Sequence, residues 1–187
     1  MKLNYVTGNN GKFEEVRDFL VHQQCQFELV QTPLSIVEIQ SMDQKEVALD
    51  KARQAYAVIK KPLLVDDAAI YFCKYNQFPG VFTRYVYDGI GMDGMFKLVE
   101  PGDRAYFLLY LVYVDVAGHE QVFEGRCDGA IVKPEVFKAH PSLPFDDIFL
   151  PDGSTQSYAE LFGTPAFAAF AYRLQAVQAF LTWVRGA

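Results

Sequence analysis

The chain opens on a short apolar run, residues 3–6, that stops at the polar stretch Thr7-Gly8-Asn9-Asn10-Gly11-Lys12. Beyond it Phe13, Val16, Phe19 and Leu20 recur at helical spacing, so the order predicts strand, loop and helix. Residues 27–30 read as a second strand. Residues 46–59 place Ala48, Leu49, Ala52, Ala55, Tyr56 and Ile59 on one helical stripe. Pro62 closes that helix, and residues 63–65 begin a buried strand that delivers Asp66 and Asp67 at its end.

Residues 70–73 either continue as strand or turn back, Phe78-Pro79-Gly80 marks a loop, and residues 92–99 form a short helix. Residues 104–116 and 121–132 are rich in β-branched and aromatic side chains and predict a long hairpin joined through Ala117-Gly118. Residues 133–157, acidic and interrupted by proline, read as irregular, and residues 166–184 as a mostly apolar closing helix. Helices and strands alternating around a central hairpin predict an α/β fold. The expected architecture is a two-lobed mixed β-sheet with flanking helices and an active-site groove between the lobes, the whole of residues 1–187 being one domain.

Composition narrows the field. With 51% hydrophobic and 15% aromatic residues over 187 positions, the chain can bury a sizeable core. A formal charge of -6 argues against a duplex nucleic-acid partner, which would need a net basic face, but leaves room for a small anionic ligand in a locally positive pocket. Cys25, Cys73 and Cys127 lack any C-x-x-C spacing and read as thiols of a reducing compartment. The start turns polar at Thr7, too early for a signal peptide, and the apolar run at 106–114 falls far short of the ~20 residues a membrane helix needs. A cytoplasmic protein without membrane contact is expected.

Two short segments carry candidate chemistry. A loop rich in Gly and Asn before a helix is a natural anion site, because unpaired backbone N–H groups and the helix dipole point at the ligand, and Lys12 adds a full positive charge. The same composition fits an ordinary N-capped turn, and the spacing is not that of a Walker loop. Asp66 and Asp67, adjacent on a strand, send their carboxylates in opposite directions, one facing the groove and one bracing the loop. Such a pair holds a hard cation such as Mg²⁺ through oxygen ligands, or is simply a polar turn after a strand. Glu38, a lone acid in Ile36-Val37-Glu38-Ile39, is a further candidate ligand. His22, His119 and His140 have no spacing for a triad or a metal site.

Taken in order, these residues resemble a known family. Thr7-Gly8-Asn9-Asn10-Gly11-Lys12-Phe13-Glu14-Glu15 is similar to the T-G-N-x-x-K-x-x-E signature of the inosine triphosphate pyrophosphatase (Ham1-like) family. Glu38, Asp50-Lys51-Ala52-Arg53, Leu64-Val65-Asp66-Asp67, Phe78-Pro79-Gly80-Val81, Arg104-Ala105-Tyr106-Phe107, Phe123-Glu124-Gly125, Pro151-Asp152-Gly153 and Tyr158-Ala159-Glu160-Leu161 follow in the family's sequence of motifs. The resemblance implies a dimeric enzyme that splits a nucleoside triphosphate into monophosphate and pyrophosphate. Its expected substrates are deaminated purine nucleotides (ITP, dITP, XTP), removed to cleanse the nucleotide pool. By residue it implies that Thr7, Gly8, Asn9 and Lys12 hold phosphates with Lys51 as helper. Glu38 and Asp67 would bind Mg²⁺, for which Mn²⁺ could substitute. Asp67 would position or deprotonate the attacking water, with Asp66 in support.

The resemblance weakens where the family reads the base. The expected F-G-[WY]-D-P segment appears as Leu143-Pro144-Phe145-Asp146-Asp147, Phe167 stands in place of a lysine, and S-H-R becomes Ala171-Tyr172-Arg173. Phe145 could still stack on a purine and Arg173 donate to a 6-oxo group, with Asp146 and Tyr172 beside them; equally, Phe145 and Tyr172 could be core aromatics and Arg173 a surface charge. Fewer polar groups mean weaker discrimination, so a pyrophosphatase retargeted to another base is one alternative. A catalytically weakened nucleotide-binding protein is another, against which the presence of Lys12, Glu38, Asp66 and Asp67 speaks.

Overall fold

The computed structural model describes residues 2–135, 137 and 145–186. Leu143, Pro144 and His140, singled out in the sequence, lie outside the described residues. Six strands form one mixed sheet in the order β2-β1-β3-β4-β5-β6. β1 (Lys2–Tyr5) pairs in parallel with β2 (Glu28–Gln31), Leu3 opposite Leu29, and with β3 (Leu63–Phe72), Asn4 opposite Leu63. β4 (Arg104–Val114) and β5 (Glu120–Ile131) form the long hairpin expected from their composition, and β5 pairs antiparallel with β6 (Phe149–Pro151).

The chain divides into two compact units. One comprises residues 1–67, 109–125 and 173–187, the other residues 68–108 and 126–172. The boundary therefore falls inside β3 directly after Asp67, inside β4 and inside β5.

In the first unit, α1 (Asn10–His22) and α2 (Gln44–Ile59) have side-chain N-caps: Asn9 accepts from the Lys12 N–H, and Asp43 from the Lys45 and Glu46 N–H groups. α2 buries Ala48, Ala52 and Ala55 against Val6, Leu63, Val65, Val112 and Val114. Small alanines let the helix lie close to the β-branched strand face, so backbone and strand side chains pack at interior density. The opposite face of β4 carries Tyr113, which packs with Phe180 and Trp183 of α5 (Tyr172–Gly186). In the second unit α3 (Thr83–Leu98) and the short α4 (Tyr158–Leu161) accompany an aromatic cluster of Phe107, Phe149, Tyr158, Phe167 and Tyr172.

Four expectations are corrected. β3 does not end at the aspartates but runs on through Ala68 to Phe72, because the apolar run resumes after them and both carboxylates have cationic partners. The helix expected over 92–99 starts at Thr83 and is broken at Gly91, whose φ of 62° and ψ of -174° only glycine adopts freely. The irregular region contains β6. The closing helix begins at Tyr172, since Pro165 opens a separate 3-10 turn, Pro165–Ala169, and Phe167 therefore stands on that turn.

Candidate active site

The strand β1, the loop after it and the start of α1 form one hydrogen-bonded device. The Thr7 hydroxyl accepts from the Asn9 N–H at 3.1 Å and the Asn9 side chain accepts from the Lys12 N–H at 3.1 Å. The N-capped turn is thus real, and it also fixes where Lys12 projects. Gly8 is exposed and a methyl group there would meet nothing within 4 Å, so packing does not require glycine at that position.

Alternation along β3 sends the two aspartates to opposite faces. Asp66 faces α1 and α5, where its carboxylate is 3.2 Å from the Lys12 ammonium and 3.2 Å from Nε of Arg173. Arg173 reaches on to Glu15 of α1 through Nη1 at 2.5 Å, and its side chain is 2% exposed. Asp67 faces α2, where Lys51 Nζ lies 3.0 Å from its carboxylate and 2.7 Å from that of Glu38. Gln44, buried at the start of α2, donates to the Asp67 backbone carbonyl at 3.0 Å and ties the strand to that helix.

The electrostatics follow from the burial. Burial alone would raise the Asp66 carboxyl, but Lys12, Arg173 and Lys51 override it and hold the group far below the usual carboxylate range. Burial lowers the Lys12 ammonium below its ordinary value, against the pull of Asp66 and with Arg173 and Lys51 adding to the lowering. Burial also works against the Lys51 charge, yet Asp67 and Glu38 prevail and raise it well above the ordinary lysine value. The Tyr5 phenol is pushed up by burial first and then by the Asp66 charge.

The residues named for the phosphate and metal half, Thr7, Gly8, Asn9, Lys12, Glu38, Lys51, Asp66 and Asp67, all belong to the first unit. Lys12 meets Asp66, and Lys51 joins Glu38 to Asp67. Of the residues named for the base, Arg173 belongs to the first unit, and Phe145, Asp146 and Tyr172 to the second. Tyr172 stacks on Phe107 with ring centroids 5.0 Å apart and tilts against Tyr158 at 5.5 Å. Phe145 is 6% exposed and meets Tyr87 edge-on at 5.5 Å, Asp146 is buried beside it, and Phe167 packs edge-on against Tyr158 and Phe162. Arg173 is a buried ion-pair partner and not a surface charge. Glu15 stands in the sequence as the last residue of the T-G-N-x-x-K-x-x-E signature, with no role attached to it; its spacing of three from Lys12, which places both on one face of α1, was the signal for one. Gln44 and Tyr5 are participants that no motif or spacing announces.

Among the described residues no three His, Cys, Asp or Glu side chains converge on one point. Glu38 and Asp67 are nevertheless two hard oxygen donors that already share one cation, the Lys51 ammonium. That fits Mg²⁺, which takes one or two carboxylates and completes its shell with substrate phosphates and water.

Fold and charge arrangement together define an α/β protein whose polar centre sits on a strand-loop-helix unit. Comparison with known proteins makes this specific: residues 3–183 match the Ham1 family, and the chain belongs to that family. It is 30% identical over 187 residues to a dITP/XTP pyrophosphatase of Methanopyrus kandleri, covering 99% of this chain and 97% of that protein. It is 37% identical over 163 residues to inosine triphosphate pyrophosphatase 2 of Trypanosoma cruzi, covering 86% and 81%. Among solved structures, the Ham1 protein of Staphylococcus aureus superposes with a TM-score of 0.79 at 18% identity, covering 100% of this chain and 99% of that one. A HAM1 protein from Coxiella burnetii gives 0.78 at 19% with full coverage of both. These two likenesses concern the fold.

Proposed function

We propose that the protein hydrolyses a nucleoside triphosphate to the monophosphate and pyrophosphate, with Mg²⁺ as cofactor. The observation that carries this reading is the convergence of Glu38 and Asp67 on one cation, Lys51, with a second lysine, Lys12, at the start of α1 paired to the adjacent Asp66. Family membership and the activities by which the relatives are named support it. Thr7, Gly8, Asn9 and Lys12 bind the phosphates, and Glu38 and Asp67 hold the metal, which when bound neutralises phosphate charge and acidifies water. Asp67 orients the attacking water and accepts its proton. Asp66, held ionised between Lys12 and Arg173, fixes the Lys12 ammonium. The deaminated purine triphosphates ITP, dITP and XTP are the expected substrates, and the acting form is a homodimer, which a solution mass of twice 21.2 kDa would reveal.

One observation favours a broader base preference. A site discriminates strongly when the wrong substrate leaves buried polar groups unpaired. Here the Arg173 guanidinium is bound to Glu15 and Asp66, and Phe167 and Tyr172 pack into an aromatic cluster. Pyrophosphate release should be measured with Mg²⁺ from ITP, XTP, GTP, UTP and CTP. Turnover of several bases at similar kcat/KM supports the broad reading, a strong preference for ITP and XTP supports the narrow one, and no turnover of any triphosphate sinks the enzyme. Asp67→Asn should abolish turnover in a folded protein.

A further inference from the structure

Lys51 occupies an unusual position for a phosphate-binding lysine. Its side chain is 15% exposed, and its ammonium sits between Glu38 Oε1 at 2.7 Å and Asp67 Oδ1 at 3.0 Å, the two carboxylates proposed to hold the metal. α2 fixes the geometry: Asp43 caps its start, Gln44 pins it to the backbone of Asp67, and Ala48, Ala52 and Ala55 seat it against the sheet. The ammonium therefore stands where two anionic oxygens of separate segments meet. Without it those carboxylates would repel each other across a partly dehydrated space.

We infer that Lys51 is the resident counter-ion of the Glu38–Asp67 pair: it bridges the two carboxylates and offsets one of their two charges in the metal-free protein, competes with a divalent cation for them, and gives them up when that cation binds. This rests on the proposed metal site. A lysine released in this way keeps its full charge and three donors on a flexible stem, so the same residue then serves the phosphate chain. The exchange would make metal and triphosphate binding mutually supportive: each ligand of the pair freed from lysine is a ligand for the metal, and each lysine freed from carboxylate is a donor for the phosphate.

The test is Mn²⁺ binding to nucleotide-free protein, read from the electron paramagnetic resonance signal of the free ion. Removing the competing charge in Lys51→Met should tighten Mn²⁺ binding about tenfold or more. Lys51→Gln should do the same should the methionine variant not fold, and Lys51→Arg should return the affinity towards that of the unchanged protein. Glu38→Gln should weaken binding in every background. Thermal unfolding gives an independent reading: Lys51→Met should melt lower than the unchanged protein in chelator and gain more from added Mn²⁺. Unchanged or weaker Mn²⁺ binding in both neutral Lys51 variants, with the Glu38→Gln loss intact, overturns the counter-ion role and leaves the metal site standing. If no form binds Mn²⁺, the metal site and this role fall together.

Discussion

Arg173 carries a full charge with 2% of its side chain exposed, and at the first turn of α5 Glu15 and Asp66 meet it from α1 and β3. Breaking a buried pair from one side leaves uncompensated charge, which costs about 3–5 kcal/mol. Arg173→Met should therefore destabilise the protein by roughly that amount in urea unfolding, and Arg173→Lys, which keeps the charge but not the two-pronged geometry, should recover part of it. A loss below about 1 kcal/mol for the methionine variant would mean that the network is solvated. Cys127 illustrates the reverse situation, a titratable group that burial and neighbouring acids shift together. Burial, with Asp128 and Asp152 adding to it, pushes its thiol from 9.0 up to about 12. The folded chain thus keeps a proton that the unfolded chain releases. The thiol's contribution to stability is full below pH 9.0 and declines as pH rises towards about 12. At mildly alkaline pH iodoacetamide should label exposed Cys73 and spare Cys127 until the protein is denatured, as peptide mass mapping would show. Equal labelling rates at the two positions would refute this.

At the level of elements, the sequence declared the long pieces and hid the short or mixed ones. α1 and α2 were legible from periodicity, because each buries one face over more than ten residues, and the β4–β5 hairpin from its β-branched and aromatic composition. β3 was misjudged at its most important point. Two adjacent carboxylates look like a turn, and only partners distant in sequence, Lys12, Lys51 and Arg173, allow them to sit inside a strand. Arg173 was legible as a motif position but not as a buried one, since nothing near it in sequence announces Glu15 or Asp66. β6, three residues long, is too short for any period to register. Its place depends on Gly129, which pairs with Pro151 in β5–β6. A methyl group there would collide with the Leu150 carbonyl oxygen and stand 2.6 Å from the Phe149 ring, and Phe149 is fully buried. Neither backbone nor core ring can yield cheaply, so Gly129→Ala should cost about 1–3 kcal/mol. Hydrogen exchange should show the loss concentrated at 129–131 and 149–150; an unchanged unfolding midpoint would count against the tight approach.

On the scale of the whole molecule, an acidic protein of formal charge -6 is proposed to bind a polyanion, and the site itself does not reverse that sign. Its ion-paired side chains comprise three cations, Lys12, Lys51 and Arg173, and four carboxylates, Glu15, Glu38, Asp66 and Asp67, a net charge of -1 when all are ionised. Each lysine is already engaged with acid, so neither offers an uncommitted charge to a triphosphate. A divalent cation at Glu38 and Asp67 changes the balance to +1, and long-range repulsion between protein and ligand then gives way to local attraction. Affinity for a non-hydrolysable nucleoside triphosphate analogue should accordingly fall at least about tenfold, ~1.4 kcal/mol, when Mg²⁺ is replaced by chelator in a calorimetric titration. The gain from Mg²⁺ should disappear in Glu38→Gln, which separates a metal held by the protein from one merely carried by the nucleotide. Equal affinity with Mg²⁺ and with chelator would instead place triphosphate recognition on the Thr7–Lys12 loop alone. In that event the carboxylates of β3 would serve the fold and not the ligand.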